Sequence, residues 1–119
     1  MNSRWADIFN HLKQEGFEVY PPATKRGECK KPYIVVKYQG KMELTEISSN
    51  VVTYDILLYV PRNCYSEIED RVRELEISMD KMFPLIRPTH FTTEPYYDDD
   101  VKGWMTSTQY ENYQKRVRY

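Results

Sequence analysis

Glycine and histidine are scarce in this chain, with four of the first and two of the second in 119 residues. Four glycines cannot build a Gly-rich loop that cradles phosphates on backbone N–H groups. His11 falls in a predicted helix and His90 in a predicted strand, with no HExxH or HxE pattern and no nearby cysteine, so both read as ordinary polar residues. Cys29 and Cys64 form no CxxC pair, which removes zinc ribbons and thioredoxin-like motifs and points to folding in a reduced, intracellular compartment. No stretch approaches the roughly 18 apolar residues of a membrane span. The opening "MNSRWADIFNHLKQEG" is charged throughout and has no apolar signal core, so the chain is predicted to be made soluble, away from membranes and without classical export. An excess of one charge is also missing. With 17 basic and 18 acidic residues the net charge is -1, which offers no general attraction to nucleic acid or anionic lipid.

What remains has globular composition, 40% hydrophobic and 29% charged, in a length that suits one domain with one modest core. Eleven tyrosines and two tryptophans are many for such a core. Tyrosine suits half-wet interfaces, and it is equally a good strand residue.

Apolar spacing orders the chain. Trp5, Ile8, Phe9 and Leu12 fall at i, i+3, i+4 and i+7, with Ser3 as N-cap and Gly16 just past the end, which predicts a helix over 4–15. "FEVY" reads as a short strand stopped by Pro21 and Pro22, and "ATKRGECKK" as an exposed loop. "PYIVVKYQG", bounded by Pro32 and Gly40, is a second strand, and "SNVVTYDILLYVP" a longer third. Ser66 and Glu69 have capping-box spacing ahead of a stripe of Ile68, Val72, Leu75, Met79 and Met82, which predicts a second helix over 65–82. Its methionines read as core filler. Two further strands are predicted, one at 89–94 and one in "VKGWMTSTQYENYQKR", joined through "PYYDDD". The plan is α+β: a single domain over residues 1–119, an antiparallel or mixed sheet of about five strands, and two helices on one face.

Alternation within the third strand puts Val52, Tyr54, Ile56, Leu58 and Val60 on one face, to meet Ile34, Val36 and the helices. Tyr33, Val35, Val51, Leu57 and Tyr59 point the other way and are also apolar. Either a neighbouring chain covers this second face or a loop such as 22–31 screens it.

Catalytic patterns are hard to find. Asp98, Asp99 and Asp100 could in principle hold Mg²⁺, but successive aspartates diverge and no second acidic cluster accompanies them, so a solvated turn is the better reading. "TKRGECKK" and the terminal "YQKRVRY" mix basic and aromatic residues as single-strand binders do, yet the acidic stretches at 67–70 and 98–100 offset them and no RNP-like motif is present. No catalytic residue, metal, cofactor or nucleic-acid partner is predicted.

In element order, "GFEVYPPATKRGECKKPYIVVKY" and "TYDILLYVPRNCYSEIEDRVRELEISM" resemble the small tail terminator, or tail completion, proteins of tailed bacteriophages and prophages. There a proline-bearing loop leads into a "PYIVV" strand, and a "Y-x-I-x-L-Y-V-P" strand runs through a short turn into a long helix. The likeness spans nearly the whole chain and is one of pattern, without a diagnostic motif. It implies a structural virion protein, assembled in the host cytoplasm, that forms a ring commonly of six subunits on the head-proximal end of the tail. Its partners would be its own copies, the tail tube or sheath, and a head connector or collar. Neck or head-completion subunits share the plan. A monomeric ligand-binding regulatory module is the alternative from another class, with a nuclease third.

A head-to-tail ring needs two different complementary surfaces on each subunit. "YYDDD" collects Tyr96, Tyr97, Asp98, Asp99 and Asp100, whereas "KRGECKK" collects Lys25, Arg26, Lys30 and Lys31. The sequence reading pairs these loops across subunits for register, with Tyr33, Val35, Leu57 and Tyr59 supplying most of the affinity.

Overall fold

A computed structural model describes residues 4–44 and 49–115. Ser3 and the basic run from residue 116 onward lie outside them. Helix α1 (Trp5–Gln14) precedes strands β1 (Val19–Tyr20), β2 (Tyr33–Leu44) and β3 (Ser49–Pro61). A 3₁₀ segment, Arg62–Glu67, then leads into α2 (Ile68–Asp80), followed by β4 (Arg87–Thr92), β5 (Tyr96–Asp98) and β6 (Gly103–Lys115). The six strands form one sheet in the order β1-β2-β3-β6-β4, with β5 also paired to β6. β1 runs parallel to β2 and every other pairing is antiparallel, so the fold is α+β with a mixed sheet.

α1 stops where Gly16 takes φ +96. Gly16 N–H donates to Lys13 O at 3.2 Å and Phe17 N–H to Leu12 O at 3.1 Å, the paired bonds of a Schellman ending, which a side chain at Gly16 would strain. At the other end the capping residue is Arg4, without a side-chain cap bond, and its backbone N–H donates to the Tyr54 hydroxyl at 2.8 Å. The predicted capping box on α2 does not form. Ser66 sits inside the 3₁₀ segment, the cap residue is Glu67, and no side chain caps the helix. Pro61 delivers the chain into that tight turn and displaces the start of α2 to Ile68.

Both helices lie on one face of the sheet. Ile8 and Leu12 of α1 and Leu75 and Met79 of α2 close over Ile34, Val36, Val52, Tyr54, Ile56, Leu58 and Tyr110, with Ile86 sealing the margin. Of the residues assigned to this face, Tyr54, Ile56 and Val60 have no exposed surface at all. Trp5 ties α1 to the sheet edge by donating its indole N–H to Val36 O at 2.7 Å. Farther back, α1 and α2 are joined by Ser78, whose hydroxyl donates to Glu15 Oε1 at 3.1 Å, and by Lys81, whose ammonium reaches the same oxygen at 2.8 Å.

The sheet is much longer than the helices that cover it. Thirteen residues of β3 span about 43 Å, whereas α1 and α2 span about 15 and 20 Å. The principal extents of 53 × 25 × 25 Å follow from that mismatch. Gly40, read from the sequence as the end of its strand, is instead a register shift: pairing slips between Tyr38 and Gly40, where φ is +138, and β2 continues to Leu44. A glycine at a bulge relieves the backbone without ending the ladder. β1 pairs only with Ile34 and Val35, so from Lys37 onward β2 is an edge strand with no neighbour on that side among the described residues.

The second face has a cover of its own at one end. The chain between β1 and β2 folds across it, Cys29 N–H donates to Val101 O at 2.6 Å, and Cys29 and Val101 pack on Tyr33, Val35, Leu57 and Tyr59. Tyr33 is 3% exposed and Val35 8%, both buried within the subunit itself. Of the two covers considered for this face, the loop is the one present here.

Candidate assembly surface

Cross-strand register arranges the second face in rows. Tyr33, Tyr59, Met105 and Tyr96 form one row and Val35, Leu57 and Ser107 the next, followed by Lys37, Asp55 and Gln109. Tyr33 stacks on Tyr59 with centroids 4.8 Å apart, and Tyr20 meets Tyr33 edge-on at 5.6 Å. Exposure rises along the first row away from the loop: Tyr33 is buried, Tyr59 and Met105 are half-buried, and Tyr96 is 51% exposed. Between loop and strands lies a trough of about 290 Å³ whose floor includes Val35, Leu57 and Tyr59. Lys25 and Lys37 line its rim, with the Lys25 ammonium 5.5 Å from the centre of the Tyr33 ring. Asp55 sits half-buried beside it, and burial raises its carboxyl above the usual range despite a hydrogen bond from Gln109 and the charge of Lys37.

Three of the expected contact residues therefore need correction. Tyr33 and Val35 are almost wholly buried, because residues 21–31 close over them, while Leu57 and Tyr59 keep more of their surface in the trough. Tyr97 is on the opposite face. It pairs with Trp104 and packs edge-on against that indole at 5.4 Å, while Tyr65 takes the indole's other contact at 4.6 Å.

The two loops of the paired-loop expectation lie beside each other within one chain. Asp98 ends β5, and Asp99 and Asp100 form the turn into β6, with Asp100 N–H donating to Asp98 Oδ1 at 3.0 Å. The next residue, Val101, holds Cys29 of the basic loop. Acidic and basic segments are thus neighbours in one subunit instead of lying on opposite sides, as a head-to-tail contact would need. Lys31 pairs with Glu18 at 2.9 Å, while Arg26 and Lys30 stay exposed. Among the described residues, no ion pair joins Lys25, Arg26, Lys30 or Lys31 to the three aspartates.

Among the described residues, no three His, Cys, Asp or Glu side chains are grouped to hold a metal. The nearest approach to a catalytic arrangement is His11, Ser78 and Glu15. His11 Nε2 lies 2.8 Å from the backbone oxygen of Ser78 and 3.2 Å from its hydroxyl. A carbonyl only accepts, so Nε2 carries a proton and cannot serve as the base for that hydroxyl. The group works as a clasp between helices. Lys81 holds the Glu15 carboxyl below the ordinary value of 4.5, partly opposed by burial, and Ser78 assists. Lys31 and the Tyr20 hydroxyl do the same for Glu18. Both folded pKa values are depressed, so the stabilisation is present above the unfolded value and is lost as pH falls through the folded one. Denaturant unfolding followed from neutral pH to about pH 3 is expected to show stability falling below the ordinary glutamate range. In Glu15→Gln that fall should be shallower; an unchanged slope would show that the clasp carries no linked proton.

Sequence reasoning missed Met105, which completes the tyrosine row, and Lys37, which rims the trough. Alternation within "GWMTSTQY" was the available signal for Met105, once its register with Tyr59 is known. No family model and no curated protein matches the chain. Among the described residues, no helix is long and apolar enough to cross a membrane.

Proposed function

We propose that this chain is a non-catalytic structural subunit, of the kind that forms a ring on the head-proximal end of a phage-type tail tube, ends tube growth and offers a seat to a head connector or collar. The resemblance in element order suggests the role. The observation that carries it is the sheet that outruns its helices, leaving a β2 edge beyond Lys37 without a partner strand among the described residues and a half-open aromatic row at Tyr59, Met105 and Tyr96, with Leu57 beside it. Unpaired edges and half-buried aromatics are the materials of association between subunits. Because the acidic and basic loops already meet within one chain, affinity in this reading rests on the aromatic row and not on charge pairing.

Solution mass, measured alone and after mixing with purified tail tubes, tests the proposal. A discrete ring species, or a ring-sized addition at tube ends, is the expected result. Tyr96→Glu, at an exposed position that leaves the core intact, should abolish it. A chain that stays monomeric with and without tubes would overturn the reading.

A second reading is favoured by a groove of about 580 Å³ between α1 and α2, floored by Phe17, Ile34 and Leu58, with Ile77 on its wall and Glu18, Lys31 and Arg71 among its charged residues. Its volume suits a small ligand of a regulatory module. Ligand-dependent thermal stabilisation of a strictly monomeric chain would favour that class.

A further inference from the structure

Arg87 is held in an arrangement that neither the fold nor the aromatic row requires. Its guanidinium carbon lies 5.7 Å from the centre of the Phe83 ring and 5.7 Å from that of Tyr113, so it has an aromatic contact from each side of the chain turn. Its Nε–H donates to Pro84 O at 3.3 Å, which fixes the inner edge of the fork. Among the described residues no carboxylate pairs with Arg87 within 4.0 Å. Glu111 is its register partner on β6, yet the Glu111 carboxylate is engaged by the Tyr113 hydroxyl, whose pKa it raises. A cationic fork that is exposed, stacked and unpaired has lost rotational freedom before any ligand arrives.

The surroundings supply the rest of a site. Pro84, Leu85, Arg87, Asn112 and Tyr113 line a groove of about 340 Å³. Asn112 Nδ2 donates to Leu85 O at 2.7 Å and pins the turn to β6, so the groove has a fixed wall. Phe83, Leu85 and Tyr113 are 59%, 41% and 48% exposed around it. Pairing of β4 with β6 reaches no farther than Arg87 and Glu111, so among the described residues β6 from Asn112 onward has no strand on that side. Thr93 N–H bonds Ser107 O across the same edge, and by alternation Tyr113 turns its backbone groups the same way.

We propose that this groove binds an extended segment of a partner protein through an acidic side chain, whose carboxylate takes the free face of Arg87 while neighbouring apolar side chains rest on Leu85 and Phe83. A planar fork matches a planar carboxylate in two parallel hydrogen bonds. A polyanion such as nucleic acid suits the place poorly, since Glu111 stands beside Arg87 and the chain carries a net charge of -1. The site is independent of the ring reading and would survive its failure.

Backbone and Arg Nε resonances of the labelled full chain, titrated with Ac-Ser-Leu-Glu-Leu-Ser-NH2, provide the test. Saturable changes at residues 84–87 and 112–113 are expected, with affinity falling about tenfold or more for the peptide carrying Gln in place of Glu. Arg87→Gln should remove the binding, and Arg87→Lys, which keeps the charge and loses the fork, should weaken it severely. Equal binding of the Glu and Gln peptides, or no saturable change by about 5 mM peptide, where millimolar association is already populated, would overturn the proposal. So would a Gln peptide with a free C-terminal carboxylate that binds as well as the Glu peptide, because the source of the charge would then be a chain end.

Discussion

Leu58→Ala is expected to lower the unfolding free energy by about 2–5 kcal/mol, because it opens a cavity in the middle of the layer where sheet and helices meet. Leu58 is 3% exposed, stands between Ile34 and Thr106 in the cross-strand register, and belongs to the cluster closed by Leu75 and Met79. Relaxation there is restricted, since Ile34 and Leu75 are themselves fully enclosed and hold the surrounding backbone. The control is one residue away. Leu57 shares the strand and the side-chain type but faces the trough, where part of its surface is already wet. Leu57→Ala should cost clearly less, about 1–2 kcal/mol by the apolar area it buries. Urea unfolding of both variants measures the difference. Equal losses would mean that the two faces of β3 are equally enclosed and that the face assignment is wrong.

That assignment was legible because β3 alternates without interruption. From Val52 to Val60 every even residue is apolar, and strand geometry sends all of them to one side. α1 was legible for a similar reason, its stripe ending at a glycine that the chain uses as a left-handed stop. Gly40 carried the same letter and a different meaning. A bulge and a strand end both call for a glycine with positive φ, and only the partner strand distinguishes them. β5 was hidden because three residues between a proline and an acidic turn show no period at all. Which of the two offered covers closes the second face could not be read, since the loop's closure depends on Cys29 meeting Val101, residues far apart in sequence and unremarkable in type. The same contact sets the charged loops side by side in one chain, which the sequence did not show, because opposite charge in two segments says that they attract and not whether they belong to one subunit or two. Arg87 escaped notice until the register of β4 on β6 brought Tyr113 beside it.

Gly103→Ala should damage the protein at the junction that covers the second face. A Cβ at this position would lie 2.7 Å from the backbone oxygen of Val60, 3.0 Å from Cys29 Cβ and 3.4 Å from Cys29 Sγ. The first contact is with the backbone of a central strand near its end, where Val60 pairs with Trp104 and Pro61 with Gly103 itself, so it cannot be relieved by turning a side chain. Overpacking of this kind typically costs about 1–3 kcal/mol. The strand is held along its whole length and the loop by far less, so the strain is expected to lift the Cys29 segment away from Tyr33 and Val35. Thiol chemistry reports on that directly. In the native chain Cys29 is 2% exposed, and burial pushes its thiol up to about 11, so it is shielded and almost wholly protonated at neutral pH. A soluble aromatic disulfide should therefore label Cys64, which is only half-buried, well before Cys29. In Gly103→Ala the slow phase should accelerate at least tenfold while the sheet's circular dichroism persists, since freeing the thiol both uncovers it and lowers its pKa toward the ordinary 9.0. A slow phase of unchanged rate in a variant of unchanged stability would show that the close approach of β6 to Val60 and Cys29 is not maintained in solution, and with it that the loop is not the cover of that face.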